Sequence, residues 1–415
     1  MTHKTYKVIG LMSGSSLDGL DIAYCNFKVN DGKITWQLLE AETIKFDPKW
    51  TARLEHLPVQ SARTLAQTHT YFGRYMAELA NDFIRKNNLT PDLITSHGHT
   101  IFHEPERYFT TQIGDGAAIA ALTGITTVCD FRTQDIALAG EGTPIAPAAD
   151  RYLFSGYDFY LNIGGIANIT CNLDGKYIAF DTSPANQVLN LLANELQMPF
   201  DLNGEIARSG RIIPELINEL KAIDYFQKKY PKSLDNNWIR QYIFPIIQKN
   251  NSEIADKLHT YTHFIAAQIS ESIGRIFEQE STETLSDTSK VSDDLDRGST
   301  KLTDDLGESP AESSDTFGVS DDRAYRMFVT GGGAFNQFLI EQTQVECKAF
   351  NVEIVLPEKE IIEYKEAILM GLMGVLRMEG LPNCFSSVTG ADMDTVGGAV
   401  YLAQASSLHG SIVKN

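Results

Sequence analysis

Val8-Ile9-Gly10-Leu11-Met12-Ser13-Gly14-Ser15-Ser16-Leu17-Asp18-Gly19-Leu20-Asp21 runs an apolar stretch straight into a turn of glycines, hydroxyls and carboxylates. The arrangement occurs twice more, in Tyr160-Leu161-Asn162-Ile163-Gly164-Gly165-Ile166-Ala167-Asn168 and in Met327-Phe328-Val329-Thr330-Gly331-Gly332-Gly333-Ala334-Phe335-Asn336. Glycine lets the backbone turn tightly and leaves its N–H groups facing outward. A concave row of such groups, edged with hydroxyls and amides, forms a phosphate cradle. Three cradles spread over most of the chain predict one nucleotide held between two lobes.

Working outward from the first turn, Tyr6–Met12, Leu20–Val29 and Ile34–Phe46 read as a three-stranded meander, with Asn30-Asp31-Gly32 as its second turn. Near-helical spacing of Leu65, Tyr71, Phe72, Tyr75, Met76, Leu79 and Phe83 predicts an amphipathic helix over Ser61–Asn88. Short strands at Leu93–Ser96 and Thr126–Phe131 flank a helix at Ala117–Leu122 closed by Gly124. The plan then restarts: strands at Phe159–Ile163, Ala167–Leu173 and Tyr177–Asp181, and a helix over Ala185–Leu196. A long helix over Ser252–Glu278 follows. Strands at Met327–Thr330 and Val352–Val355 alternate with helices at Phe335–Cys347 and Ile361–Met378. The end, Asp394–Leu408, reads as a helix crossing back to the first lobe. The chain thus holds two copies of one α/β plan, recognised by pattern and not by shared sequence.

The chain of 415 residues calls for two domains. Its formal charge of −19 excludes nucleic acid and an anionic membrane surface as partners. Thirteen acidic residues against three basic ones lie between Glu280 and Asp322, so about half of the charge is local. This Ser/Thr/Asp/Glu-rich stretch, 280–323, has too little apolar surface to offset its ordering entropy and reads as a disordered insertion. Cys25, Cys129, Cys171, Cys347 and Cys384 show no Cys-x-x-Cys spacing and read as reduced thiols. Met1–Thr5 carries no secretory pattern, and the longest apolar stretch, Ala367–Leu376, is too short to span a bilayer. A cytoplasmic location follows. A homodimer is among the assemblies the sequence leaves open.

The chemistry sits in the turns and strand ends. Gly14, Ser15, Ser16, Leu17, Asp18, Gly19, Leu20 and Asp21 combine amides and hydroxyls for phosphate oxygens with carboxylates for Mg²⁺; a plain hairpin turn is the alternative. Neither Gly-Lys pair has the glycine five residues upstream that a Walker A loop needs, and Asn336 stands where a dinucleotide fingerprint needs its third glycine. Within Thr95-Ser96-His97-Gly98-His99-Thr100, His97 reads as a substrate hydrogen-bonding group, a structural histidine or a metal ligand. Arg132 ends a strand and either forks onto a carboxylate or sugar oxygens, or pairs with Asp130 or Asp135. Asp181 stands at a strand end as a general base or as a helix cap. Glu366 lies inside a helix, where a solvated role is the ordinary one.

Together these motifs resemble the anhydro-N-acetylmuramic acid kinase family, within the acetate/sugar kinase–Hsp70–actin superfamily. Gly10–Asp21, Ser96–Thr100, Gln112-Ile113-Gly114-Asp115, Asp130-Phe131-Arg132, Asn162–Asn168, Phe180-Asp181-Thr182, Gly331–Asn336 and Val388-Thr389-Gly390-Ala391 carry the resemblance. It implies two RNase H-like lobes of the actin-like ATPase/sugar kinase type with an interlobe cleft. The first lobe would span 1–135 joined by 393–415, and the second 136–392 with the 280–323 insertion. It also implies an enzyme that opens a 1,6-anhydro sugar with water and phosphorylates O6 with ATP and Mg²⁺, in murein recycling. Asp181 would then activate the water. The first turn, Gly164, Gly165 and Asn168 would hold phosphates, with Asp18 nearest the metal. Gly331, Gly332, Gly333 and Asn336 would hold adenosine. Ser15, His97, Arg132 and Glu366 would line the sugar site. A kinase acting on a free sugar hydroxyl and a non-catalytic ATP-binding module are the alternatives. The chain departs from the family's Thr-Gly-Pro-Gly-Asn at Thr182-Ser183-Pro184-Ala185-Asn186, and has His99 for the family's Gln. Two side chains in place of glycines make any φ > 0 there costly and narrow the site.

Overall fold

The computed structural model describes residues 3–14, 17, 19–173, 176–295 and 323–403, with the backbone alone for 172, 173, 176, 177 and 280–295. Ser15, Ser16 and Asp18 therefore lie outside the described residues, as do 296–322 of the acidic segment and 404–415. In chain order the strands are β1 (His3–Met12), β2 (Gly19–Asn30), β3 (Lys33–Lys45), β4 (Leu93–Ser96), β5 (His99–Glu104), β6 (Phe109–Ile113) and β7 (Thr127–Cys129). They continue as β8 (Phe159–Ile163), β9 (Ile166–Leu173), β10 (Lys176–Pro184), β11 (Tyr325–Thr330), β12 (Val352–Val355) and β13 (Ala399–Tyr401). The chain folds as two compact units.

The first unit consists mainly of residues up to Gly156 and from Pro357 onward. Its six-stranded sheet has the order β13-β7-β4-β1-β2-β3. β1, β2 and β3 form the antiparallel meander, β4 lies parallel to β1, and β7 parallel to β4. Side chains alternate along β1. Ile9 and Leu11 join a core with Phe72, Met76 and Phe83 of helix Ala62–Asn87. That helix begins where the Ser61 hydroxyl accepts the Thr64 N–H, and ends at Asn88 with φ 51°. On the opposite face, a Cβ on Gly10 would lie 1.9 Å from the Ala367 carbonyl oxygen, and one on Gly374 1.9 Å from Thr95 Cγ2. Helix Lys359–Glu379 thus rests directly on the sheet backbone, which is why Ala367–Leu376 is buried throughout.

Three expectations change here. The unit boundaries fall at Gly156 and Pro357, not at 135/136 and 392/393. The helix bearing Glu366 belongs to the first unit, because glycines on both sides allow an approach that apolar periodicity does not reveal. Where a terminal helix was expected, β13 instead pairs antiparallel with β7, Ala399 opposite Cys129. Gly397 and Gly398 break the helix; Gly398 has φ 123°, and Asn383 both accepts the Gly397 N–H and donates to its carbonyl. The hairpin of β5 and β6 is an element that the sequence reading had left without strands.

The second unit comprises Tyr157–Cys171 and Ala179–Leu356. Its sheet has the order β10-β9-β8-β11-β12. β9 is antiparallel to β8, β11 parallel to β8, and β12 parallel to β11. Position for position this matches β3-β2-β1-β4-β7. Helix Ile254–Leu295 packs over the sheet through Phe277, whose ring lies 5.9 Å from that of Phe159. The helix runs past Glu278 into the acidic segment, where disorder was expected. No glycine or proline interrupts that stretch before Gly298.

Candidate active site

In the second unit β8 and β11 are parallel neighbours, Asn162 opposite Thr330, so the turns that leave them lie side by side. Gly331 has φ 84°, and a Cβ there would lie 2.7 Å from the Ile163 carbonyl oxygen. A Cβ on Gly333 would meet Ile163 Cγ2 at 2.2 Å. Gly332 differs: it is exposed, and the nearest atom to its Cβ would be Asn186 Nδ2 at 3.6 Å. Internal packing therefore demands two of the three glycines and would accept a Cβ at the third in ordinary contact with Asn186. Asn186 ties the start of helix Asn186–Asn194 to the turn after β8, its amide donating to the Ile163 carbonyl at 3.1 Å and its backbone N–H to the Gly164 carbonyl at 3.1 Å. Ala185 N–H donates to the Gly165 carbonyl at 2.8 Å. Asn168 sits opposite Asn162 across β8 and β9. Asn336 caps helix Gln337–Cys347, its oxygen accepting the Leu339 N–H at 3.0 Å.

Asp181 lies near the end of β10, four residues before the chain returns to the glycine turn. Its carboxylate accepts the Leu234 N–H at 2.8 Å, and its own N–H donates to the Lys232 carbonyl at 3.2 Å. The Tyr225 hydroxyl donates to its carbonyl at 2.8 Å. Burial pushes its pKa upward, against the Leu234 hydrogen bond and the Lys232 charge. The side chain is not a helix cap: helix Asn186–Asn194 starts from Ala185 without a side-chain cap. Ala185 has φ −128°, so it does not take the positive φ at which a side chain in place of glycine would be costly. Ser183 is fully buried, and its hydroxyl has no partner among the described residues.

The first unit holds the other expected residues. At the first turn, Leu17 N–H donates to the Gly14 carbonyl at 3.4 Å, with Leu17 at φ 58°. Gly19 is required by the Ile44 carbonyl, 2.6 Å from where its Cβ would be. Asp21 accepts the Thr43 hydroxyl at 2.6 Å. His97 follows β4 and is buried; its Nδ1 faces the Gly98 carbonyl at 3.1 Å while Nε2 has no partner among the described residues. Burial first, then the Arg132 charge, lowers its pKa to about 3, so the ring is neutral and Nε2 is an acceptor. Arg132 Nε is likewise buried without a partner among the described residues. Asp135 accepts Gly142 N–H and Thr389 Oγ1–H, both at 2.8 Å, and Asp130 accepts the Thr133 hydroxyl at 2.5 Å. The Arg132 charge is felt by both His97 and Glu366. Glu366 keeps contact with solvent, yet surrounding protein and then Asp21 push its pKa upward. His97, Arg132, Glu366 and Asp21 are therefore near one another in this unit. A pocket of about 630 Å³ brings His97 and Gly98 together with Gln112, Gly114 and Asp130.

Reasoning from sequence did not find Lys232, Tyr225 and Leu234 around Asp181. Nor did it find the role of Thr389, which ties the Asp135 loop to the Val388–Ala391 motif. The one available signal was Pro231-Lys232-Ser233-Leu234, a basic residue beside a proline, about fifty residues from Asp181. Among the described residues no group of three or more His, Cys, Asp or Glu is placed to hold a metal ion. No helix among them is long and apolar enough to cross a membrane.

Two α/β units with one shared strand order, one bearing paired glycine turns and a pinned carboxylate, define the RNase H-like class of actin-like ATPases and sugar kinases. Residues 6–286 and 282–403 match the family model described as anhydro-N-acetylmuramic acid kinase, the two matches meeting in the acidic segment. The chain belongs to the anhydro-N-acetylmuramic acid kinase family. It is 32% identical to the enzyme of that name from Aliivibrio fischeri, over 96% of this chain and 99% of that one. It is 28% identical to that from Synechococcus elongatus, over 95% and 99%. Among solved structures, the activator of the 2-hydroxyisocaproyl-CoA dehydratase from Clostridium difficile with bound ADPNP aligns with a TM-score of 0.35 and 12% identity, over 89% of this chain and 93% of that one.

Proposed function

We propose that the chain opens the ring of 1,6-anhydro-N-acetylmuramic acid with water and transfers the γ-phosphoryl group of ATP to O6. The products are N-acetylmuramic acid 6-phosphate and ADP, within cytoplasmic murein recycling. The carrying observation is Asp181: a desolvated carboxylate at a strand end, pinned by the Leu234 N–H, whose chain runs directly into the Gly164-Gly165 turn.

Asp181 takes a proton from water as the oxygen attacks C1. The C1–O6 bond breaks, and O6 captures the phosphoryl group as ADP leaves. A single carboxylate suffices because phosphate, not a proton, receives the leaving oxygen; ordinary glycosidases need two. Gly164, Gly165, Asn168 and Gly332 supply the phosphate and adenosine side, where Gly332 is exposed. The buried acceptor of His97 and the guanidinium of Arg132 bind the sugar, Arg132 facing its carboxylate, with Glu366 beside them. Mg²⁺ would be held by carboxylates of the first turn, Asp18 nearest and Asp21 beside it; the Asp21 charge disfavours ionisation of Glu366. When bound, the ion neutralises charge on the phosphate oxygens.

Incubation with ATP, Mg²⁺ and the anhydro sugar, followed by mass spectrometry, is expected to show the 6-phosphate. Asp181→Asn is expected to lower turnover by roughly 10²–10⁴-fold. Phosphorylation of a free sugar alone would point to a plain hydroxyl kinase. ATP binding without sugar-dependent turnover would point to a non-catalytic module.

A further inference from the structure

We infer that Lys232 is a positioning residue for Asp181, holding that carboxylate pinned and ionised so that it acts as the base; this rests on the reading of Asp181 given above. Residues 230–234 fold around Asp181 from several sides. The Lys232 carbonyl accepts the Asp181 N–H at 3.2 Å, and two residues on, Leu234 N–H donates to the carboxylate at 2.8 Å. The Lys232 side chain lies over the Tyr225 ring at 4.8 Å and the Phe180 ring at 5.8 Å. Phe180 precedes Asp181, and Tyr225 donates to the Asp181 carbonyl. Tyr230 stacks on Phe180 at 5.3 Å and 12° between planes. The Lys232 backbone thus fixes the Asp181 backbone, and its ammonium lies over the two rings that flank Asp181.

The surrounding charges set the direction. Burial raises the Asp181 pKa, while Leu234 and Lys232 lower it. Burial and Arg275 lower the Lys232 pKa to about 8, against Glu271 and Asp181. Burial and the Asp181 charge raise the Tyr225 pKa, which keeps that phenol protonated as a donor. Arg275 donates to the Lys228 carbonyl at 3.2 Å, and Glu271 is engaged by Lys221 at 3.2 Å and Gln268 at 2.9 Å. Arg275 and Glu271 thus have other partners, and Lys232 is the cation whose charge Asp181 feels. A nearby positive charge favours an ionised carboxylate, so its removal leaves Asp181 protonated up to a higher pH.

The test is kcat/KM for the anhydro sugar at saturating ATP and Mg²⁺, across pH, in the full chain and in Lys232→Met, Lys232→Gln and Lys232→Arg. The neutral variants are expected to move the acid limb upward by about half to one pH unit, with several-fold greater loss on the acid side than on the alkaline side. Lys232→Arg is expected to restore the limb. Thermal unfolding identifies a variant that fails to fold, and the two neutral side chains give independent readings. A loss equal at every pH, or an unmoved limb, overturns the inference. Asp181→Asn at wild-type turnover overturns both this and the base assignment. An inactive Asp181→Asn beside an unmoved limb in the Lys232 variants overturns only the role of Lys232.

Discussion

The two sheets share one strand order but carry opposite kinds of polar equipment. In the second unit the functional groups are tied to protein: Asp181 to Leu234, Asn186 to the turn after β8, Asn336 to a helix end. In the first unit His97 and Arg132 are buried with polar atoms that find no partner among the described residues. A buried polar group without a partner is costly, and a pinned one is preorganised. The contrast separates a unit that presents fixed dipoles to reacting atoms from one whose polar groups are completed by a ligand.

Arg132→Ala strikes at that contrast hardest. A charge-assisted hydrogen bond is worth about 1.5–3 kcal/mol. The sugar KM is therefore expected to rise roughly 10- to 100-fold while the ATP KM stays near its starting value. An unchanged sugar KM with a lowered melting temperature would make Arg132 a structural cation and erase the difference between the units.

The second unit can be probed by two neighbouring glycines. Gly331 has φ 84° and no room for a Cβ beside the Ile163 carbonyl, so Gly331→Ala is expected to cost about 1–3 kcal/mol of stability. Gly332 has space, so Gly332→Ala is expected to leave the unfolding midpoint in place and raise the ATP KM. Equal losses of stability would show that the turn is shaped by packing alone.

His97 gives a pH signature for the first unit. Its folded pKa, about 3, lies below its ordinary value near 6.5, so between these values the unfolded chain holds a proton that the folded chain lacks. Its contribution is complete above about pH 6.5 and is lost as pH falls toward about 3, by up to ~1.4 kcal/mol per pH unit. Urea unfolding at a series of pH values is expected to show wild type losing stability on acidification faster than His97→Gln. Parallel curves would show that the ring is not held neutral by burial.

Much of this was legible in the sequence, for physical reasons that differ by element. The meander and the strands at Phe159–Ile163 and Val352–Val355 follow from local alternation and turn residues. Glycine turns identify their own location because few other residues allow such backbones. What stayed hidden depends on distant contacts. The seat of helix Lys359–Glu379 on Gly10, and so the placement of Glu366 beside Arg132, requires two glycines 364 residues apart, Gly10 on the sheet and Gly374 on the helix, to meet across one helix–sheet contact. The grip of residues 232–234 on Asp181 joins segments about fifty residues apart through backbone groups, which carry no sequence signature. β13 was missed because its three residues are too few for periodicity and its pairing with β7 is wholly non-local.

Asn336 is where a sequence motif and a local structural need coincide, and it has the smallest expected effect. The motif suggested an adenosine contact, whereas the side chain accepts the Leu339 N–H as the cap of helix Gln337–Cys347. Its oxygen is also the atom that a Cβ on Gly204 would approach to 2.4 Å, so the cap sits in a tight seam. Loss of such a cap costs about 1 kcal/mol. Asn336→Ala is therefore expected to lower the unfolding midpoint modestly, and Asn336→Asp, which keeps an acceptor for the Leu339 N–H, to restore it. If the oxygen only caps, the ATP KM of Asn336→Ala stays with that of wild type. A rise in that KM without a fall in stability would instead give the side chain to the nucleotide, and would place a ligand-completed group beside Asp181 and Asn186, whose hydrogen bonds are made to protein.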